Sequence, residues 1–301
     1  MIARDIIDTI GNTPLVEIAR FSPRPEVRLY AKLEGINPAG SIKDRVAKYM
    51  IEKAVESGDL TPDRIILEAT SGNTGIALAM IGRRKGFRVT IVMPDNMSVE
   101  RQQLLRMYGA ELVLTNGQLG TNGAIEVARE LARDPRYFFT DQFSNPCNVL
   151  AHYETTAVEI LRDLPQVDVF VSALGTGGTL TGTARRLKEA NPNTWAVSVE
   201  PPRGQTIQGL RCLDDGFVPS IVDTSLFDER LTVTPDEAFA AARLLLEREC
   251  IFAGASSGAA LHGMLRIAAD LPKGNIVTIF PDGGWKYLSM GIWDTTHALG
   301  G

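Results

Sequence analysis

Six short apolar runs, separated by longer amphipathic stretches, constrain the fold of this chain more than any other feature. They cover 64–69, 88–93, 111–115, 167–173, 195–199 and 275–280. Each is rich in Val, Ile or Leu and shows little alternation, the pattern of a strand buried on both faces of a parallel sheet. Helical spacing fills the intervals at 44–57, 74–84, 99–108, 123–133, 179–190 and 236–249. The last interval opens on clear start chemistry, with Thr234 to cap, Pro235 at the first helical position and Glu237 to complete a capping box. A β-α-β-α order of this kind predicts an α/β fold of mostly parallel sheets flanked by helices. The 301 residues are enough for two such lobes. Polar segments bearing Pro or Gly at 33–37 and 144–146 mark the boundaries between them.

Composition excludes several classes of function. The formal net charge is −5, and no block of Lys or Arg occurs, so neither nucleic acid nor an anionic membrane is an expected partner. No apolar run approaches the roughly 20 residues that span a bilayer. Arg4, Asp5 and Asp8 make the N-terminus unlike a signal peptide. Cys147, Cys212 and Cys250 are widely spaced and form no CxxC pair, so no disulfide framework or zinc site is expected and a reducing, cytoplasmic setting fits. Cys212 and Cys250 read as packing residues. His152, His262 and His297 form no spaced cluster, and no metal is expected.

In such folds ligands bind beyond the C-terminal strand ends, near helix N-termini, and three loops stand there. The first is Asn37-Pro-Ala-Gly-Ser-Ile-Lys43, a turn that leads into a helix with Lys43 at its start. The helix dipole and nearby amide donors there disfavour an ammonium and favour the neutral amine that reacts with an aldehyde. Alone, it reads as readily as a surface lysine. The second is Thr70-Ser-Gly-Asn-Thr-Gly75, whose hydroxyls and backbone N–H groups suit a carboxylate; an N-capping turn at Ser71 or Thr74 is the plainer alternative. The third is Gly175-Thr-Gly-Gly-Thr179, where glycines let the backbone wrap an anion and threonines add donors, so phosphate is the natural ligand. It is neither a P-loop nor a dinucleotide fingerprint, since Leu180 stands where the third glycine would be. A nicotinamide oxidoreductase is thereby disfavoured. Reactive lysine, carboxylate cradle and phosphate cradle form the set that an amino acid on pyridoxal 5′-phosphate requires.

These motifs, with Ile10-Gly-Asn-Thr-Pro-Leu15, Asp141-Gln-Phe-Ser-Asn-Pro146, Gly254-Ala-Ser-Ser-Gly258 and Trp285-Lys-Tyr-Leu-Ser289, resemble the cysteine synthase family of fold type II pyridoxal-phosphate enzymes over nearly the whole chain. The segments Met93-Pro-Asp-Asn-Met-Ser98 and Tyr108-Gly-Ala-Glu111 are most similar to its bacterial B-type branch. The resemblance implies a two-lobed fold: a smaller, mobile lobe at 35–145 that takes the substrate carboxylate, a larger lobe at 13–34 and 146–301 that takes the cofactor phosphate, and an N-terminal segment at 1–12. It implies Lys43 as the Schiff-base lysine and general base, and Asn73 as the partner of the cofactor's phenolic oxygen. Thr70, Ser71, Gly72 and Thr74 become the carboxylate loop, with Gln142 as helper. Gly175, Thr176, Gly177, Gly178 and Thr179 become the phosphate loop, and Ser256 the partner of the pyridine nitrogen. By its sequence position, Ser256 could equally cap a helix over 258–267.

The implied reaction is β-replacement on an activated serine through an aminoacrylate, giving cysteine or S-sulfocysteine. O-acetylserine and O-phosphoserine stand as donors, with sulfide or thiosulfate as the sulfur source. Arg211 resembles an arginine of the B-type and phosphoserine-using enzymes that would meet an anionic group; its alternative is a solvated pairing with Asp214 or Asp215. The family also implies a homodimer, with serine acetyltransferase or a sulfur-carrier protein as a partner. Competing readings are a cystathionine β-synthase-like enzyme, a serine/threonine dehydratase and a non-catalytic regulatory binder, against which the presence of Lys43 argues. Asp282 is placed near the site without a role, and the Gly-Gly end reads as frayed.

Overall fold

The computed structural model describes residues 2–70 and 72–290. Among these residues, ten strands form two sheets. The six-stranded sheet runs in the order β1 (Leu15–Glu17), β2 (Val27–Leu33), β10 (Gly274–Phe280), β7 (Val169–Ala173), β8 (Trp195–Glu200), β9 (Glu229–Thr232). The four-stranded sheet runs β5 (Glu111–Thr115), β4 (Arg88–Pro94), β3 (Ile65–Ala69), β6 (Tyr137–Phe139). Every pairing is parallel except β1 with β2, so the expected α/β architecture of two mostly parallel sheets holds.

The absence of alternation has a visible cause. Val169 and Val171 pack into a core with Val197, Val199 and Ile276. Phe170, between them in sequence, packs on the opposite face with Ala196, Val277 and Ile279. Both faces of these strands are therefore apolar. Helices α8 (Pro235–Glu249) and α9 (Ala255–Asp270) cover the first face, and α7 (Gly178–Ala190) the second. The start of α8 is as expected, with Thr234 and Glu237 in a reciprocal capping box.

Four strands escaped the sequence pattern. The strands β1, β6 and β9 are three or four residues long. Strand β2 contains Arg28 and Lys32, which break its apolar run. Lys32 is nevertheless fully buried, donating to the Thr13 carbonyl oxygen at 2.8 Å and pairing with Glu159 at 2.9 Å. A buried ion pair stands where a strand of this kind ordinarily carries an apolar side chain.

Helices α1 (Lys43–Ser57), α2 (Asn73–Lys85), α3 (Val99–Met107) and α4 (Gly120–Leu131) accompany the smaller sheet. Helix α5 (Pro146–Ala151) passes through a π turn at His152–Thr156 into α6 (Ala157–Asp163). Among the described residues no helix is long and apolar enough to cross a membrane. One packing assignment is corrected. Cys212 is buried, but Cys250 is exposed, ending α8 in a left-handed conformation with φ 55°.

Candidate active site

The N-termini of α1, α2 and α7 and the first turn of α9 converge on one cavity of about 570 Å³, a size common for ligand sites. Lys43, Thr70, Asn73, Thr74, Gln142, Gly175, Thr176, Gly177, Thr179, Arg211 and Ser256 all line it. Gly72 and Gly178 lie in the same loops, against Arg101 and Asn148. Ser71 falls outside the described residues, as do His297 and the terminal Gly-Gly.

Lys43 is the first residue of α1, delivered by a turn in which the Gly40 N–H donates to the Asn37 carbonyl oxygen at 2.7 Å. Gly40 adopts φ 82°, and a Cβ there would fall 2.9 Å from Trp285, so the turn requires glycine twice over. Burial pushes the Lys43 amine down to about 8, against the opposing charge of Asp282. Desolvation thus does the work that the helix dipole was expected to do.

The third loop is shaped for an anion. Gly177 caps α7 with φ 87°, and a Cβ would meet Val222 at 2.2 Å. Two side chains from α5 and the π turn back it. The Asn148 amide donates to Thr176 Oγ1 at 3.0 Å and to the Gln142 carbonyl oxygen at 2.8 Å, which ties the glycine-threonine loop to the opposite wall. His152 lies 3.1 Å from Thr156 Oγ1 and 3.2 Å from Thr179 Oγ1. Burial, reinforced by the charges of Lys43 and Arg45, keeps this imidazole neutral.

At the second loop, Thr74 lies inside α2, whose cap is Gly72, so no side chain caps this helix. The Thr74 hydroxyl instead donates to Gln142 Oε1 at 2.6 Å. Behind Gln142 stands Glu68, fully buried, which accepts from the Gln142 N–H at 3.1 Å and from the Thr140 hydroxyl at 2.5 Å. Burial pushes this carboxyl up to about 8.

Ser256 is corrected in one respect. The cap of α9 is Gly254, and Ser256 sits within the first turn, facing the cavity. The alternative for Arg211 is also overturned. Asp214 pairs with Arg230 at 3.1 Å, and Asp215 accepts from the Gly204 N–H at 3.0 Å. The Arg211 guanidinium lies 4.7 and 4.6 Å from the ring centroids of Phe143 and Phe217, with Asn122 Oδ1 at 3.5 Å. Among the described residues it makes no ion pair.

Sequence reasoning missed Glu68, Asn148, Arg101 and Lys286. A carboxylate inside the apolar run 65–69 was the available signal for Glu68. Arg101 is buried on α3 and reaches Gln208 Oε1 at 2.8 Å, while stacking 4.9 Å from the Tyr287 ring centroid. Nothing in its local sequence marks it.

A lysine of lowered basicity, set across one cavity from a glycine-threonine anion loop, defines an enzyme built to hold an aldehyde bearing a phosphate. The donors fit that group: backbone and threonine donors at a long helix's N-terminus for the phosphate, and an amine for the aldehyde. Residues 6–282 match the family of pyridoxal-phosphate dependent enzymes. The chain is 44% identical over 290 residues to cysteine synthase B of Salmonella typhimurium strain LT2, covering 96% of each chain. Its structure is similar to that of O-ureido-L-serine synthase, with a TM-score of 0.94 and 40% identity over 100% of this chain and 98% of that one. It is also similar to cysteine synthase from Entamoeba histolytica, with a TM-score of 0.92 and 39% identity over 99% and 92% of the two chains. The chain therefore belongs to the pyridoxal-phosphate dependent enzymes and, within them, to the cysteine synthase family.

Proposed function

We propose that this enzyme makes cysteine, or S-sulfocysteine, by replacing the β-substituent of O-acetylserine or O-phosphoserine with sulfur from sulfide or thiosulfate. The observation that carries this reading is the position of Lys43 in one cavity with both anion-binding loops. The cofactor, when bound, supplies an electrophilic aldehyde and an electron sink for the substrate's α-carbon. Gly175 to Thr179 hold its phosphate, and Asn73 its phenolic oxygen. Ser256, a neutral group, would partner the ring nitrogen without holding it protonated. Thr70, Ser71, Gly72 and Thr74, with Gln142, hold the substrate carboxylate. Lys43, whose amine is available near neutral pH, takes the proton from the α-carbon.

Arg211 meets the anionic partner, whether a phosphate leaving group or thiosulfate. Its guanidinium rests in the corner of two rings that meet edge to face and is free of carboxylates among the described residues, which supports that role. The unit at 35–145 acts as a mobile lobe that closes over the carboxylate and excludes water. The four-stranded sheet, drawn wholly from 35–145, and the six-stranded sheet, drawn wholly from outside it, support that division. The same reading takes the enzyme as a cytoplasmic homodimer, with serine acetyltransferase or a sulfur-carrier protein as a partner; the free thiols of Cys147, Cys212 and Cys250 suit a reducing compartment.

The test is the visible spectrum of the purified enzyme, titrated separately with O-acetylserine and O-phosphoserine. A change in the cofactor band that sulfide or thiosulfate then reverses supports β-replacement, and the more effective donor names the substrate. Lys43→Ala is expected to fold, with a shifted or absent band and collapsed turnover. Near-normal turnover in that variant would sink the proposal.

A further inference from the structure

Lys286 belongs to the motif Trp285-Lys-Tyr-Leu-Ser289, and the mechanism above gives it no task. It is fully buried, where an ammonium requires partners. Its Nζ donates to the Gly40 carbonyl oxygen and to Asn73 Oδ1, both at 2.9 Å, and lies 5.2 Å from the Trp285 ring centroid. A Cβ on Gly40 would fall 2.9 Å from Trp285, so the missing Cβ makes room for the ring that packs against Nζ. On the other side of the Asn73 amide, Nδ2 donates to Asp282 Oδ2 at 2.7 Å, and the Tyr287 hydroxyl donates to the same oxygen at 2.7 Å.

An asparagine amide has one acceptor edge and one donor edge, and only its partners decide which way it faces. Here both partners decide alike. A flipped Asn73 would set its NH2 against an ammonium, which has no acceptor, and its oxygen against a carboxylate, which has no hydrogen. With Oδ1 occupied by Lys286 and one N–H by Asp282, the amide has its second N–H left for the cavity that it lines.

We propose that Lys286 is the positioning residue that fixes the Asn73 amide as a hydrogen-bond donor toward the phenolic oxygen of the cofactor. The inference rests on the reading of Asn73 as that oxygen's partner. A donor backed by a positive charge favours the ionised form of the oxygen, because hydrogen bonds to charged acceptors are the stronger kind. Lys286 acts through Asn73 and touches no reacting atom.

The experiment is equilibrium dialysis of the loaded enzyme against decreasing pyridoxal 5′-phosphate, followed by the visible band. Asn73→Ala, Lys286→Met, their double variant and Lys286→Arg are compared with the parent. Asn73→Ala and Lys286→Met are each expected to weaken cofactor binding about tenfold or more. The double variant should be no weaker than the weaker single one, and Lys286→Arg should recover most of the loss. A purely structural role would not give that non-additivity. Should Lys286→Met not fold, Lys286→Gln takes its place in the same cycle. If Asn73→Ala weakens binding while the neutral Lys286 variant does not, or if the two losses multiply, the inference is overturned. If Asn73→Ala binds normally, the reading of Asn73 falls, and the inference with it.

Discussion

Thr74 and Gln142 are joined by a 2.6 Å hydrogen bond in which the threonine hydroxyl is the donor. The Gln142 Nε2 is turned the other way, toward the Ala69 carbonyl oxygen at 3.2 Å and Glu68 Oε1 at 3.5 Å. If Thr74 serves the substrate carboxylate as proposed, its hydrogen is already committed and binding must redirect it. A carboxylate accepts more strongly than an amide oxygen, so the exchange is favourable. Thr74→Ala is expected to raise KM for the activated serine by about tenfold to a hundredfold with a smaller change in kcat, and Thr74→Ser to restore it. Steady-state kinetics on the three proteins decides the matter; an unchanged KM in Thr74→Ala would remove Thr74 from the carboxylate site.

For Lys43 the prediction concerns pH. Burial lowers its amine from the ordinary 10.5 to about 8, and the Asp282 charge works in the opposite direction. The neutral, reactive fraction therefore rises through about pH 8. The rate at which cofactor-free enzyme captures pyridoxal 5′-phosphate should climb with pH and level off above about 8. Asp282→Asn removes the opposing charge, so its rise should come at lower pH. A rise centred near 10.5 would mean that Lys43 is solvated like a surface lysine.

The Arg211 prediction is one of selectivity. A guanidinium held by cation–π contact with both Phe143 and Phe217 is fixed in place and serves a ligand through its remaining N–H edge. Arg211→Ala should lower kcat/KM for O-phosphoserine, or for thiosulfate, by about tenfold to a hundredfold, while O-acetylserine with sulfide changes little. Arg211→Lys keeps the charge but loses the planar stack and should recover only part. Equal losses for charged and neutral partners would make Arg211 a packing residue.

How much of this was legible in the sequence depended on whether the signal was local. The helix start at Thr234 and Glu237 lies within four residues and was read correctly. The loops carrying Lys43, Thr70, Asn73 and Gly175 each combine turn chemistry with a helix start, and each lines the cavity. Other features were set by partners distant in sequence. The burial of Lys32 depends on Glu159, its counter-charge 127 positions further along the chain. The alternative for Arg211, a pairing with its near neighbours Asp214 or Asp215, fails because Arg230 and the Gly204 N–H claim those carboxylates. Lys286 is tied to Asn73 across 213 positions, a pairing that no window along the chain reveals.

The last prediction concerns the buried ion cluster two residues beyond Lys43. Arg45 donates to both oxygens of Glu34, at 2.8 Å each, and to both oxygens of Glu159, at 2.6 and 2.7 Å. It thereby ties α1 to the end of β2 and to α6. Burial would raise the Glu159 pKa, but the hydrogen bonds and charge of Arg45, joined by Lys32, more than offset it and hold the carboxyl at about 2. In the unfolded chain it titrates near 4.5. A carboxyl whose pKa falls on folding stabilises the native state above its unfolded value, and that stability drains away as pH drops from about 4.5 toward 2. Arg45→Met leaves two carboxylates in the interior without this partner and is expected to cost about 3–5 kcal/mol at pH 7. The loss should shrink as pH falls below 4.5, because protonation of Glu159 removes a charge that Arg45 pairs with. Urea unfolding of both proteins at pH 7, 4 and 3 measures this directly, and a difference independent of pH would show that Arg45 contributes by packing rather than by charge.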